Sequence, residues 1–263
     1  MSAYPVAHDG EEPATAIETI LLLRDVTLAR QRQAIRDTFI GVLSHELRTP
    51  VTTIFAGAKV LSRETDQLPE ATRRDIFSDI VVESERLHRL VEDVIAMTRF
   101  QEDEGDVGTE PVLLQRVLPV VVRSVEPRWP GVSFIVEMPS GLPTAVADPT
   151  YVEQVVRNLL SNAAKYGGPG TSVTVRVAPS DDGSEVVVSV TDDGPGFPAA
   201  EADRIFDLFF RSPGTSTAAA GAGIGLFVCA RLIRAMGGRI WAEPGPDGGA
   251  TFTFTLRVMA EED

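Results

Sequence analysis

The stretch Ser44-His45-Glu46-Leu47-Arg48-Thr49-Pro50 decides how the chain is read. Around it Thr38, Gly41, His45, Arg48 and Thr52 recur at steps of three and four, which places them on one polar stripe of a helix. The apolar positions Ile35, Phe39 and Val42, then Leu43, Leu47, Ile54 and Leu61, fall on neighbouring faces, as a bundle-forming helix requires. His45 is therefore predicted to be exposed on a packed helix. Glu46 stands beside it, and a carboxylate that accepts the proton on one ring nitrogen fixes the tautomer and leaves the other nitrogen free as a nucleophile. Pro50 lacks a backbone donor and crowds the carbonyl of Glu46, which predicts a bend just after the histidine. A helical His beside a Glu is equally the pattern of a solvated surface pair, so the rest of the chain has to decide.

This heptapeptide resembles the phosphoacceptor box of bacterial sensor histidine kinases. The resemblance implies ATP-dependent autophosphorylation of His45, with Glu46 as its base or orienter, and transfer of the phosphoryl group to an aspartate of a response regulator. Glu46-Leu47-Arg48-Thr49 is also similar to the Glu-x-x-Thr pattern linked in that family to dephosphorylating the partner. In that activity Thr49 would place the attacking water, with Arg48 on the same exposed stripe.

Composition narrows the alternatives. The 263 residues carry a formal net charge of −14, from 24 Lys+Arg against 38 Asp+Glu. Such a balance argues against sequence-independent nucleic-acid binding, which needs clustered cations, and disfavours an anionic membrane surface. The single cysteine, Cys229, excludes an intrachain disulfide and points to a reducing, cytoplasmic setting; a small core residue on a helix is its simplest reading. No run of about 18 apolar residues and no basic segment followed by an apolar one occurs, so neither a membrane span nor a signal peptide is predicted.

In chain order, residues 1–29 read as a flexible leader. Within it Ile20-Leu21-Leu22-Leu23 looks like a short strand, and Asp25-Val26-Thr27 is similar to the end of a PAS-type sensor domain, which implies a sensor lost or truncated here. Helical periodicity runs from about Leu28 to Ser62, Gln67-Leu68-Pro69 marks a turn, and a second helix follows from Glu70 to about Phe100. On that second helix Ile76, Ile80, Glu83, Leu87, Leu90, Val94 and Met97 form a heptad seam with one polar interruption. A hairpin of two such helices leaves an apolar face uncovered, so two hairpins are predicted to pair as a homodimeric four-helix bundle. His8 and His88 lack an acidic-polar box and read as surface residues. The predicted domains are a dimerisation and phosphotransfer domain at 30–101, a linker at 102–110, an ATP-binding domain at 111–259 and a tail at 260–263.

Beyond the linker the pattern becomes mixed α and β. Leu113 to Val125 reads as a helix interrupted or shifted by Pro119, Val132 to Val136 as a strand, and Tyr151 to Tyr166 as a helix. Val173-Val175-Val177, Val186-Val188-Val190 and Phe252-Phe254-Leu256 alternate as half-buried strands do. Gly223 to Met236 is a further helix closed by Gly237-Gly238.

On the helix from Tyr151, Asn158, Asn162 and Lys165 share a face. The segment Asn158 to Tyr166 resembles the N-box of the same kinases. That resemblance makes Asn162 a magnesium ligand, Asn158 its neighbour positioning metal and water, Lys165 a phosphate contact and Tyr166 a nucleotide-flanking residue. Asp192-Asp193-Gly194-Pro195-Gly196 matches the family's Asp-x-Gly-x-Gly box. It implies that Asp192 accepts the adenine amino group and that Gly194 and Gly196 let the backbone approach the ring. Ile205 to Arg211 is similar to the F-box that anchors the lid through Phe206, with Arg211 in reach of a phosphate or simply solvated. Gly221-Ala222-Gly223-Ile224-Gly225-Leu226 opens a helix, a common phosphate cradle. It is not a Rossmann fingerprint, because Leu226 stands where a glycine should be, and no P-loop motif occurs. With Gly249-Ala250-Thr251-Phe252 the boxes resemble the Bergerat ATP-binding fold, an α/β sandwich, and imply ATP and magnesium as ligands. The lid, Gly214 to Ala220, contains no cation and is expected to order on nucleotide. Two other readings remain: an ATPase or serine kinase of the same nucleotide-binding superfamily, and a dimeric scaffold without catalysis.

Overall fold

The computed structural model describes residues 2–5, 19–22, 27–64, 68–99, 109–212, 223–245 and 248–259. The chain divides into two compact units, residues 1–49 and 50–263. In the first, β1 (Ser2–Pro5) pairs antiparallel with β2 (Thr19–Leu22), Ser2 opposite Leu22 and Pro5 opposite Thr19. Part of the expected flexible leader is thus a ladder; its polar, Pro-containing first strand has no alternation that would announce it.

Helix α1 (Thr27–Glu64) begins in this unit, and Pro50 lies inside it without breaking it. Proline removes one hydrogen bond, at the Glu46 carbonyl, and a long helix held by the turns on either side absorbs that loss. In the second unit α2 (Glu70–Arg99) follows, started by the Arg73 amide on the Pro69 carbonyl at 3.0 Å and by Glu70, whose carboxylate pairs with Arg73 and Arg74. At Gly57 a Cβ would stand 3.1 Å from Ile76 and Ile80, so a glycine lets the two helices approach. The polar interruption of the seam, Glu83, is half-buried with one oxygen lacking a hydrogen bond, 3.6 Å from Arg86. Phe55, at 68% exposure, and Phe77, Val81, Val82, Val91 and Ile95 leave apolar surface uncovered on the two helices. No helix among the described residues is long and apolar enough to cross a membrane.

The remainder is an α/β sandwich. Strands β3 (Glu110–Val112), β4 (Ser133–Glu137), β5 (Ala145–Ala147), β6 (Ser172–Pro179), β7 (Glu185–Asp192), β8 (Ile240–Pro244) and β9 (Ala250–Val258) form one sheet. Their order is β3-β5-β9-β7-β6-β4, with β8 also beside β9. Every pairing is antiparallel except β4 with β6. Helices α3 (Leu114–Val125), α4 (Pro149–Gly167) and α5 (Gly225–Ala235) pack on it. The alternating valines of β6 and β7 bury Val173, Val175, Val177, Val186, Val188 and Val190 against the apolar faces of those helices, Leu118, Leu159, Leu160 and Ile233 among them.

One expectation changes here. Helix α3 runs through Pro119 uninterrupted, held by buried Leu114, Leu118, Val121 and Val122 on either side of it. The short strands β3, β5 and β8 lack a long alternating run; their existence depends on edges offered by β5 and β9. The predicted C-cap is present: Gly237 takes a positive φ of 75°, and the Gly238 amide donates to the Ile233 carbonyl at 2.9 Å.

Candidate active site

In the first unit His45 is exposed, with 77% of its side-chain surface open. Its Nδ1 lies 3.8 Å from Glu46 Oε1, an ion-pair distance but beyond hydrogen-bond reach. The Thr49 hydroxyl donates to the His45 carbonyl at 3.5 Å, a back-bond one turn up the helix. Arg48 is exposed.

In the second unit the other predicted residues gather around α4. The helix is started by Asp148, whose Oδ1 accepts the amides of Thr150 at 2.8 Å and Tyr151 at 3.2 Å, with Pro149 at the first helical position. Near its C-terminal end Asn162 and Tyr166 face a cleft whose floor is Asp192, at the end of β7. Asp192 is only 8% exposed. Burial pushes its carboxyl pKa above the ordinary range, offset in part by the amides of Gly194, at 3.0 Å, and Ala250. Phe197, Phe210 and Phe252 supply an aromatic wall, Phe197 and Phe252 lying 6.1 Å apart; Gly196, Arg211 and Leu226 complete the rim.

Several predicted residues stand elsewhere. Phe206 does not line the cleft; it packs edge-on behind Phe252 at 6.4 Å and 84°. Thr251 shares its hydroxyl hydrogen bond with Thr191 at 3.0 Å on the strand face opposite Ala250 and Phe252. The Lys165 ammonium sits over the Tyr166 ring, 4.9 Å from its centre. Asn158 lines a second cavity, between α2 and α4, together with Asp93 and Gln154. Its amide nitrogen is buried without a hydrogen bond of proper geometry, although it lies near enough to the Asp93 carboxylate to favour the anion. Burial outweighs that help and pushes the Asp93 pKa up to about 6. Gly221 lies outside the described residues, as does the 214–220 lid.

The glycines of the boxes are needed by the protein itself. A Cβ on Gly194 would stand 2.7 Å from the Gly167 Cα, and one on Gly196 would strike the Gly249 carbonyl oxygen. One on Gly223 would lie 2.8 Å from the Phe209 carbonyl carbon, where Phe209 holds a positive φ of 67° and donates its amide to the Gly223 carbonyl at 2.9 Å. Gly194 and Gly196 are thus required by backbone contacts within the protein, Gly194 against Gly167 at the close of α4 and Gly196 against Gly249. Gly225 differs: a Cβ there would meet only the Asn158 side chain, at 3.6 Å.

Residues that the sequence reading left out include Phe197, Phe210, Phe252 and Ser212 in the cleft, and Asp93 and Gln154 in the second cavity. Phe210 and Phe252 lie inside the quoted boxes and Phe197 directly follows one, legible as apolar neighbours of the motif residues. Asp93 carries no local signal, being one acid among several on a heptad helix. Among the described residues no group of three or more His, Cys, Asp or Glu is placed to hold a metal ion.

Two family models match the chain: the His Kinase A (phospho-acceptor) domain over residues 35–103 and the histidine kinase-, DNA gyrase B- and HSP90-like ATPase over 147–260. The adaptive-response sensory kinase SasA of Parasynechococcus marenigrum is 34% identical over 98% of the chain and 67% of its own length. The alginate biosynthesis sensor protein KinB of Pseudomonas aeruginosa is 30% identical over 98% of the chain and 42% of its own length. The chain thus spans about two thirds of one relative and about two fifths of the other. Among solved structures, ShkA, determined full-length in complex with AMPPNP, superposes with a TM-score of 0.62 at 28% identity, over 85% of this chain and 46% of that one.

Proposed function

The chain belongs to the sensor histidine kinases, enzymes that transfer a phosphoryl group to histidine, and from that membership we propose that it phosphorylates His45 with ATP and passes the phosphoryl group to an aspartate of a response-regulator receiver domain. The observation that carries the reading is the joining, in one chain, of an exposed helical histidine to an aromatic cleft floored by a buried carboxylate.

In this reading the cleft takes the nucleotide. Asp192 accepts the adenine amino group, Tyr166, Phe197 and Phe252 flank the base, and Asn162, Arg211 and the Gly223-Gly225 entry to α5 face the phosphates; the AMPPNP bound by ShkA supports ATP as the ligand. The donor set fits magnesium of the kind that keeps its waters and leans on substrate phosphates, because it offers the Asn162 amide oxygen and, among the described residues, no carboxylate cage. When bound, that ion neutralises charge on the phosphates. His45 Nε2, on the ring side away from Glu46, attacks the γ-phosphorus, the bond to the ADP oxygen breaks, and the Nδ1 proton passes to Glu46, which closes from 3.8 Å to hydrogen-bond distance. The receiver aspartate then displaces the imidazole. The Glu-x-x-Thr spacing supports a second activity, hydrolysis of the receiver's acyl phosphate with water placed by Thr49. The exposed apolar residues of α1 and α2 support a homodimer built by the predicted 30–101 domain.

Incubation with γ-labelled ATP and magnesium tests the reading. Label that is acid-labile and base-stable, absent from His45→Gln and from Asn162→Ala, is the expected result, and mixing the two variants tells transfer between subunits from transfer within one. Acid-stable label, or ATP turnover without label, would establish the serine-kinase or ATPase reading instead; absence of nucleotide binding would leave the scaffold. Thr49→Ala that dephosphorylates the receiver normally removes the second activity's assignment.

A further inference from the structure

Three residues at steps of four, Glu85, Arg89 and Asp93, form one stripe along α2 that faces the ATP-binding fold. Glu85 pairs with Arg128, in the turn after α3, at 3.0 Å. Arg89 is half-buried and donates back to the Glu85 carbonyl at 3.3 Å. Asp93 receives the Gln154 side-chain amide at 3.4 Å and borders the same cavity as Asn158.

A carboxylate can only accept hydrogen bonds, so the end of the Asn158 amide that it attracts is the nitrogen. That nitrogen is buried without a hydrogen bond of proper geometry, and its neighbours are the Asp93 carboxylate and the Cys229 sulfur. With the nitrogen directed at Asp93, the amide oxygen is held away from α2, and an oxygen is the end a hard cation uses. The negative charge of Asp93 acts in the same direction, since it favours any cation bound near Asn158. Both effects have one sign, and both come from the helical hairpin, outside the ATP-binding fold.

We infer that Asp93 of α2 is a positioning residue for the cation end of the nucleotide site: by orienting the Asn158 amide and supplying a buried negative charge, it makes metal-dependent nucleotide binding depend on the contact between α2 and α4. This rests on the role beside the metal that the N-box resemblance implies for Asn158, one turn before Asn162 on α4. Outer partners of a metal ligand typically change metal affinity by about tenfold or more, which sets the expected size.

Calorimetric titration of the full chain with β,γ-imido-ATP, in excess magnesium and again in EDTA, tests it. Asp93→Ala should weaken binding about tenfold in magnesium and less than about twofold in EDTA, and the isosteric Asp93→Asn should shift in the same direction with an unchanged melting temperature. A wild-type ratio between the two conditions in both variants overturns the inference, as does a loss of equal size with and without magnesium, which is what a merely structural contact would give. Wild-type protein that binds equally in magnesium and EDTA, or an Asn158→Ala variant indistinguishable from it, would instead remove the underlying reading of Asn158.

Discussion

Replacing Gly196 by alanine separates two reasons for a glycine in a nucleotide box. Gly196 holds φ at +68°, and its missing Cβ would strike the Gly249 carbonyl oxygen and lie 3.1 Å and 3.2 Å from the Gly249 carbon and nitrogen. The left-handed conformation costs a side-chain-bearing residue about 1–2 kcal/mol. Forcing a methyl against a carbonyl that already accepts the Gly245 amide adds about 1–3 kcal/mol. A combined loss of about 3 kcal/mol corresponds to a fall of roughly 6–12 °C in melting temperature for a fold of this size. The measurement is a thermal melt of the nucleotide-free protein, followed by circular dichroism. Nucleotide-free protein matters because a glycine retained only so that the adenine ring can approach would leave the empty protein's stability unchanged. Gly225→Ala is the internal control, since its Cβ meets only a side chain at 3.6 Å and should move the melt by less than about 2 °C. If Gly196→Ala melts within a degree of wild type, the backbone-approach argument is wrong.

Asp148→Ala should cost about 1 kcal/mol, or roughly 2–4 °C, by leaving the Thr150 and Tyr151 amides without their acceptor, while Asp148→Asn stays near wild type in the same melt. Burial pushes the Cys229 thiol up to about 12 from an ordinary 9.0. The folded state therefore keeps a proton that the unfolded state releases above about 9, and stability must decline as pH rises between the two values; wild type should lose melting temperature more steeply than Cys229→Ala from pH 9 to 11, and a thiol reagent should label it only as fast as it unfolds. Phe55→Glu, on a side chain 68% exposed, should lower the mass seen in sedimentation from dimer to monomer with the melt of the ATP-binding fold retained, and a dimer that persists would place the interface elsewhere.

Local sequence determined the parts of this protein whose causes are local. The steps of three and four around His45 define a helix with that residue on its open side, because helical geometry alone orders residues within two turns. Alternating valines in β6 and β7 state which face is buried, and the Asp148-Pro149 start and Gly237-Gly238 end of helices depend on side chains and φ angles a few residues apart. What spans the chain was decided only by the tertiary structure. Strands β3, β5 and β8 exist because neighbours offer them an edge, and α3 passes through Pro119 because the core holds both of its halves. Gly194 and Gly196 are required by the backbones of Gly167 and Gly249, tens of residues away, and the burial of Asp93 beside Asn158 arises from packing one helix of the hairpin on a domain that follows it. The histidine box could therefore be read from seven residues, whereas the surroundings of Asn158 could not, since desolvation and amide orientation depend on which groups close over a site.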